Sequence, residues 1–211
     1  MKRPLRSPRP SRRTQAERSF ETRTRLLDAA EGALVVRGYA GTSTPEVCRR
    51  AGISNGSLLH HFGTRERLLA ATLERLYQRR QGEVVGIVEA IERSDDRVRS
   101  LVESLWRVFV SPDFKVIIEL WLAAANDAGL RRRVFPVMRD FDATLRPMAA
   151  RLFPKAARRP KDLAAAVGVL FNFMQGMGLA HAAFGTDPGG DADGAAEREL
   201  LVKLLSPLLI R

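Results

Sequence analysis

Cysteine is almost missing from this chain of 211 residues. Cys48 stands alone, which excludes a disulfide framework and any zinc site built from several thiolates. Histidine is nearly as scarce, with three in all. His60 and His61 are neighbours, so on a helix their rings point roughly 100° apart and cannot ligate one ion from one face. No phosphate-cradling loop or dinucleotide fingerprint occurs, and no base is positioned beside Cys48 in the sequence. The expectation is a protein that is not an enzyme and holds no metal and no cofactor. Strand-type alternation of β-branched residues is absent throughout. Long apolar runs are absent too, except at 163–184, where Asp162, Asn172, Gln175 and His181 argue for a small-residue helix of a soluble fold and against a membrane span. The opening residues hold no apolar stretch of the secretory kind, so the expected location is the cytoplasm.

What is plentiful is positive charge, and it is unevenly placed. Residues 1–80 carry 17 Lys+Arg against 7 Asp+Glu, whereas residues 81–211 carry 18 against 17. Nearly all of the net +11 therefore sits in the first two fifths of the chain. A basic front joined to a neutral body suggests a polyanionic partner for the front, although charge alone fits a solvated surface equally well. Residues 1–13, MKRPLRSPRPSRR, hold six basic residues, three prolines and no acid. They read as a disordered basic arm, either in contact with DNA or serving as a solubilising tail.

With 45% hydrophobic residues the rest can bury a core, and its periodicity is helical. Phe20, Leu27, Ala30 and Leu34 recur at helical spacing, widened by Leu26, Ala29 and Ala33, until Gly38 ends the run. Further helices are predicted at about 64–91, 96–110, 112–126, 130–153, 161–184 and 195–210. Pro136 and Pro147 lie inside the fourth of these, so it is expected to be kinked or split. Asp95, Asp96 and the acidic stretch from Asp187 to Asp193 read as loop and cap residues. The fold class is all-α.

Residues 38–69 read GYAGTSTPEVCRRAGISNGSLLHHFGTRERLL. Ser43 and Glu46 have capping-box spacing, and Pro45 suits a first helical turn. Val47 and Ala51 give that helix an apolar face, and Gly52 closes it. Ser54 can cap a second short helix through His61, with Leu58 turned inward against Val47 and Ile53. Thr64 opens a third. Two short helices across a tight glycine turn form a helix-turn-helix, and an exposed helix of this kind fits the major groove. Gly56 would let the backbone approach DNA, while Asn55, Ser57 and His60 offer donors and acceptors to base edges.

These residues resemble the TetR/AcrR family of bacterial transcriptional regulators. The resemblance rests on Gly38-Tyr39, Thr42-Ser43, Val47, Ala51-Gly52-Ile53-Ser54, Gly56, Leu58, His61-Phe62 and Thr64-Arg65. It implies an N-terminal three-helix DNA-binding domain at 14–82 (motif at about 43–62) and a helical-bundle domain for effector binding and dimerisation at 83–211. It further implies that Thr44, Asn55, Gly56, Ser57, Leu59 and His60 face DNA bases, and that Ser43, His61 and Arg65 face phosphates. Leu59 departs from the tyrosine usual in the family, so a hydroxyl that typically reaches phosphate is missing; leucine there can instead touch a thymine methyl. Cys48 replaces a common alanine and reads as a small buried residue.

The body resembles the family only in architecture. The resemblance implies a homodimer through helices 161–184 and 195–210. The surplus of Leu200, Leu201, Leu204, Leu205, Leu208 and Leu209 fits self-association, or else an intramolecular core. Trp106, Phe109, Trp121, Phe171, Met174, Met177 and His181 are candidates to line an effector pocket, although their helical spacing fits core packing too. Asn126 and Glu119 either add polar contacts there or face water. The implied function is a sequence-specific DNA-binding repressor released from a palindromic operator by an unknown small molecule. The alternative is a regulator of the same fold with a filled body, controlled by a protein partner.

Overall fold

The computed structural model describes residues 14–185 and 194–210. The arm read over residues 1–13 and the acidic stretch from Asp187 to Asp193 lie outside the described residues. Those that are described form nine α-helices and one short 3-10 turn, with no strand. In chain order the helices are α1 (Gln15–Gly41), α2 (Thr44–Ala51), α3 (Asn55–Phe62), α4 (Arg65–Glu92), α5 (Arg97–Phe109), α6 (Pro112–Asn126), α7 (Ala128–Leu152), α8 (Pro160–Phe184) and α9 (Ala195–Leu209). The all-α expectation holds.

Local chemistry accounts for most helix starts. Thr14 and Glu17 form a reciprocal capping box at α1: the Thr14 hydroxyl accepts from the Glu17 amide at 3.2 Å, and the Glu17 carboxylate from the Thr14 amide at 2.7 Å. Ser43, Ser54, Thr64 and Asp96 each accept from the amide three residues on, at α2, α3, α4 and α5. Gly52 closes α2 in the left-handed region at φ 62°. Inside α1, Gly38 leaves helical geometry at φ 65°, so the regular helix ends there and a last short turn runs to Gly41.

Of the two outcomes expected at the prolines of α7, the split does not occur. Residues 128–152 form one helix with Pro136 and Pro147 inside it. Both prolines sit on its exposed side, and the carbonyls they leave unbonded, at Arg132 and Ala143, belong to exposed residues that water can serve.

Three apolar cores lie along α4. The first joins Leu26, Leu27 and Ala30 of α1 to Val47, Cys48 and Ala51 of α2, Leu58 and Phe62 of α3, and Leu68. The second gathers Leu34, Leu69, Leu73, Leu76 and Tyr77 with Val116, Leu120, Leu130 and Val134 of α6 and α7. The third surrounds Val88 and Ile91 with residues of α5, α8 and α9. The boundary read at residues 82 and 83 thus falls inside one unbroken helix, and the middle core draws side chains from both sides of it. Through this core α6 and α7 pack against α1 and α4.

Among the described residues, α8 alone is long and apolar enough to cross a bilayer. Here Leu163, Ala166, Leu170 and Met174 of α8 are buried in the third core, while Val169, Leu179 and Phe184 are exposed.

Candidate DNA-reading face and body cavity

Helix α3 is fixed from beneath and open above. Leu58 has no exposure, and Phe62 is buried with it in the first core. The guanidinium of Arg23 lies 4.6 Å from the Phe62 ring centre, and an Arg25 amine donates to the Ala51 carbonyl, holding α1 against the turn. With Leu58 pointing in, helical geometry turns the opposite face outward. Asn55, Gly56, Leu59 and His60 are exposed on α3, whereas Thr44, Ser57 and His61 are half-covered. The His60 and His61 rings meet edge to face at 5.4 Å. Ser43 is exposed, with its hydroxyl accepting from the Glu46 amide at 3.4 Å.

At Gly56, apart from its adjacent residues and the backbone of its own helix, nothing of this chain lies within 4 Å of where a Cβ would stand. Internal packing gives no reason for a glycine in the first turn of α3. The open space would admit the close approach of an external backbone.

On α2 one carboxylate gathers three arginines. Glu46 accepts from Arg49 at 2.8 Å and Arg50 at 2.6 Å, and pairs with Arg37 at 3.1 Å. These bonds, with Arg49 first, hold its carboxyl down at about 2. The i to i+3 and i+4 spacing of Glu46, Arg49 and Arg50 displayed this pair set in the sequence; the third partner, from α1, needed the fold. Burial pushes the Cys48 thiol up, as suits a packed residue and not a nucleophile.

Arg65, expected at a phosphate, has partners inside the chain. Its Nε donates to the Thr42 carbonyl at 2.8 Å and an Nη to the Tyr39 carbonyl at 2.5 Å. The guanidinium also lies 4.1 Å from the Tyr39 ring centre. It therefore ties α4 to the end of α1. Glu119, read as a pocket or solvent residue, takes part in the same junction, accepting from the Tyr39 amide at 2.7 Å. A side chain at Gly38 would meet that carboxylate at 2.9 Å, so the glycine there serves both a positive φ and a close approach. Asn126 donates to the carbonyl of Leu122 in its own helix.

The body holds a cavity of about 140 Å³ between α4, α5, α6, α7 and α8. Phe109, Trp121 and Phe171 line it, as the sequence suggests. Trp106, Met174, Met177 and His181 do not. Met174 is wholly buried in the third core, and Met177 reaches towards Gly194 ahead of α9. Trp106 and His181 meet edge to face at 5.8 Å, with the Arg198 guanidinium 4.9 Å from the Trp106 ring centre. Helical spacing reveals a common face but not which neighbour that face meets. Much of the remaining wall, including Ile87, Leu105, Phe141 and Met148 of α4, α5 and α7, had no signal in the sequence beyond apolarity.

Comparison with known proteins agrees with this geometry. Residues 26–72 match the model of the bacterial regulatory proteins of the tetR family. The chain is 37% identical to the HTH-type transcriptional regulator CymR of Pseudomonas putida over 59% of its own length and 62% of that protein's. It thus spans less than two thirds of that relative. It is 30% identical to an uncharacterised HTH-type transcriptional regulator of Mycobacterium bovis over 71% of this chain and 76% of the other. Among solved structures, a TetR-family member from Streptomyces coelicolor A3 superposes with a TM-score of 0.65 at 24% identity, covering 90% of this chain and 99% of that one. The multidrug binding protein EbrR complexed with imidazole gives the same TM-score and identity, covering 90% and 95%. The helix-turn-helix stands open on one side of the molecule, its three-helix core is shared with these regulators, and the chain belongs to the TetR family of DNA-binding transcriptional regulators.

Proposed function

We propose that this regulator acts as a homodimeric repressor in the cytoplasm, released from a palindromic operator when a small molecule enters the body cavity. In that reading Thr44, Asn55, Gly56, Ser57, Leu59 and His60 read bases, and Ser43 and His61 lie near phosphates. The observation that carries the proposal is the shared wall. Ile117 and Trp121 of α6 line the cavity, and Glu119 between them accepts from the Tyr39 amide at the end of α1. A ligand that moves α6 thereby acts on the helix that carries the DNA-reading unit. Two α3 helices related by a two-fold axis must meet successive major grooves about 34–36 Å apart, so a small change in their separation lowers affinity. A coupling of about 1–3 kcal/mol changes affinity roughly 5- to 150-fold, reciprocally for ligand and DNA.

Support for the dimer comes from the exposed apolar residues Val169, Leu179 and Phe184 of α8 and Leu200, Leu204 and Leu208 of α9. They leave apolar side chains of both helices exposed. An open cavity favours small-molecule control over the filled body that a purely protein-controlled regulator would have. Genomic footprinting of the purified protein tests the proposal, followed by gel shift on the recovered sites with small molecules that raise its melting temperature. A ligand at 100 times its Kd adds about 2.7 kcal/mol of stability. Compounds that stabilise the protein yet leave every recovered DNA complex intact would sink ligand release.

A further inference from the structure

The cavity wall is mostly apolar, with Arg80, Glu83, Asp142 and Gln175 among its lining residues, and it contains donors without acceptors. The indole Nε1 of Trp121 is buried and has no hydrogen-bond partner. The same holds for the Nε of Arg80, which also lines the cavity. The terminal nitrogens of Arg80 are already occupied, by Glu83 at 3.0 Å, Ser111 at 2.7 Å and Asp113 at 3.0 Å, so its charge is answered while its Nε–H is not. The Tyr77 hydroxyl lies close to Trp121, yet the indole Nε1 meets no acceptor in hydrogen-bond geometry. A buried donor left unmade costs its desolvation free energy, about 1–3 kcal/mol. That cost is recovered by whatever brings an oxygen to it.

Size narrows the occupant. An apolar cavity of roughly 150 Å³ holds one benzene, and this one measures about 140 Å³. Its wall offers Phe109, Phe141 and Phe171 to a flat ring. We infer that the site takes a single-ring aromatic compound bearing an oxygen acceptor, carbonyl or carboxylate, with that oxygen accepting from the Trp121 indole N–H. The inference rests on the proposed small-molecule control and specifies its ligand class.

The test uses the full-length protein, titration calorimetry and three probes. Acetophenone and ethylbenzene have nearly the same shape, but only the ketone has an acceptor; benzoate presents the acceptor as an anion. At least one oxygen-bearing probe should bind about 3- to 10-fold more tightly than ethylbenzene, the range of one net hydrogen bond. Whichever of the two is tighter identifies the charge form. In Trp121→Phe the advantage should shrink to within about twofold. A second readout needs no variant to fold: with two tryptophans in the chain, the ¹⁵N-labelled protein gives two indole signals. One should move downfield with the oxygen-bearing probe and not with ethylbenzene. Ethylbenzene binding as well as both others, or an indole signal indifferent to the oxygen, overturns the inference. If other compounds still bind and release DNA, the ligand class alone is lost. If nothing binds the body and nothing releases DNA, the proposed function falls with it.

Discussion

The Tyr39 hydroxyl donates to Asp127 Oδ2 at 3.2 Å, linking the last turn of α1 to the first residue before α7. Asp127 is the N-cap of α7: its Oδ1 accepts from the amides of Gly129 and Leu130 at 2.8 and 2.9 Å. These amide bonds, Leu130 first, lower the Asp127 carboxyl, and burial raises the Tyr39 phenol. Tyr39 thus touches α4 through Arg65, α6 through Glu119 and α7 through Asp127. It is the point at which three body-facing helices meet the DNA-reading unit.

Replacing Tyr39 with phenylalanine keeps the ring under Arg65 and removes the hydroxyl's bond to Asp127 together with its contact to Arg65. Stability should fall by about 0.5–1.5 kcal/mol in urea unfolding. Asp127→Ala should cost more, because it also removes a cap worth about 0.5–2 kcal/mol. The double variant should be less destabilised than the sum of the two singles, by the free energy of the shared bond. Strict additivity would show that the contact contributes nothing.

Arg65 separates a structural role from a phosphate contact. Arg65→Ala removes two charge-assisted bonds to backbone carbonyls and a ring contact, so melting should shift down by the equivalent of about 2–3 kcal/mol. DNA affinity should drop on specific and random duplexes alike, with the salt dependence of binding unchanged. A lost phosphate contact would lower the magnitude of that slope by nearly one. A flatter slope with an unchanged melting temperature would return Arg65 to the DNA face.

The reading of the helix-turn-helix from sequence succeeded because its determinants are local. Ser43, Gly52, Ser54 and Leu58 act within one or two turns of their own positions, so spacing alone reveals them. Arg65 shows where such reasoning stops: its charge was visible, but the free carbonyls of Tyr39 and Thr42 come within reach only after α4 folds against α1. The cavity is a still longer-range property. Met174 and Phe171 lie three residues apart on α8, yet one is buried in the core and the other lines the cavity. Which of two crossing helices each meets depends on every helix of the body. Pro136 and Pro147 leave α7 unsplit for the same reason, since the penalty for a helical proline depends on whether water reaches the carbonyl it frees.

At α3 the expected effects on folding and on binding have opposite signs. Gly56→Ala should stabilise the protein by up to about 1 kcal/mol, because alanine is the better helix former and the added methyl meets nothing in the chain. The same methyl should weaken binding to the recovered operator at least tenfold. By contrast, Asn55→Ala and His60→Ala should relax preference at individual base pairs, at about 1–3 kcal/mol per contact. Gel shifts on a set of single-base operator variants distinguish the cases. Undiminished affinity in Gly56→Ala would mean that DNA does not come close to the start of α3.

Glu46 should make the stability of the DNA-reading unit depend on pH in the acid range. Its carboxyl lies at about 2 in the folded protein against an ordinary 4.5, held there by hydrogen bonds from Arg49 and Arg50 and by Arg37. A depressed carboxylate stabilises the fold fully above its unfolded value, and that contribution fades as pH falls through the folded one. The melting temperature of the natural chain should therefore exceed that of Glu46→Gln by a constant margin above about pH 5.5. The margin should narrow between 4.5 and 2, where Glu46 becomes as neutral as its replacement. Salt should shrink it as well, because all three arginines are partly or largely exposed. A margin independent of pH would mean that Glu46 acts by shape alone and that the arginine cluster is held by other groups.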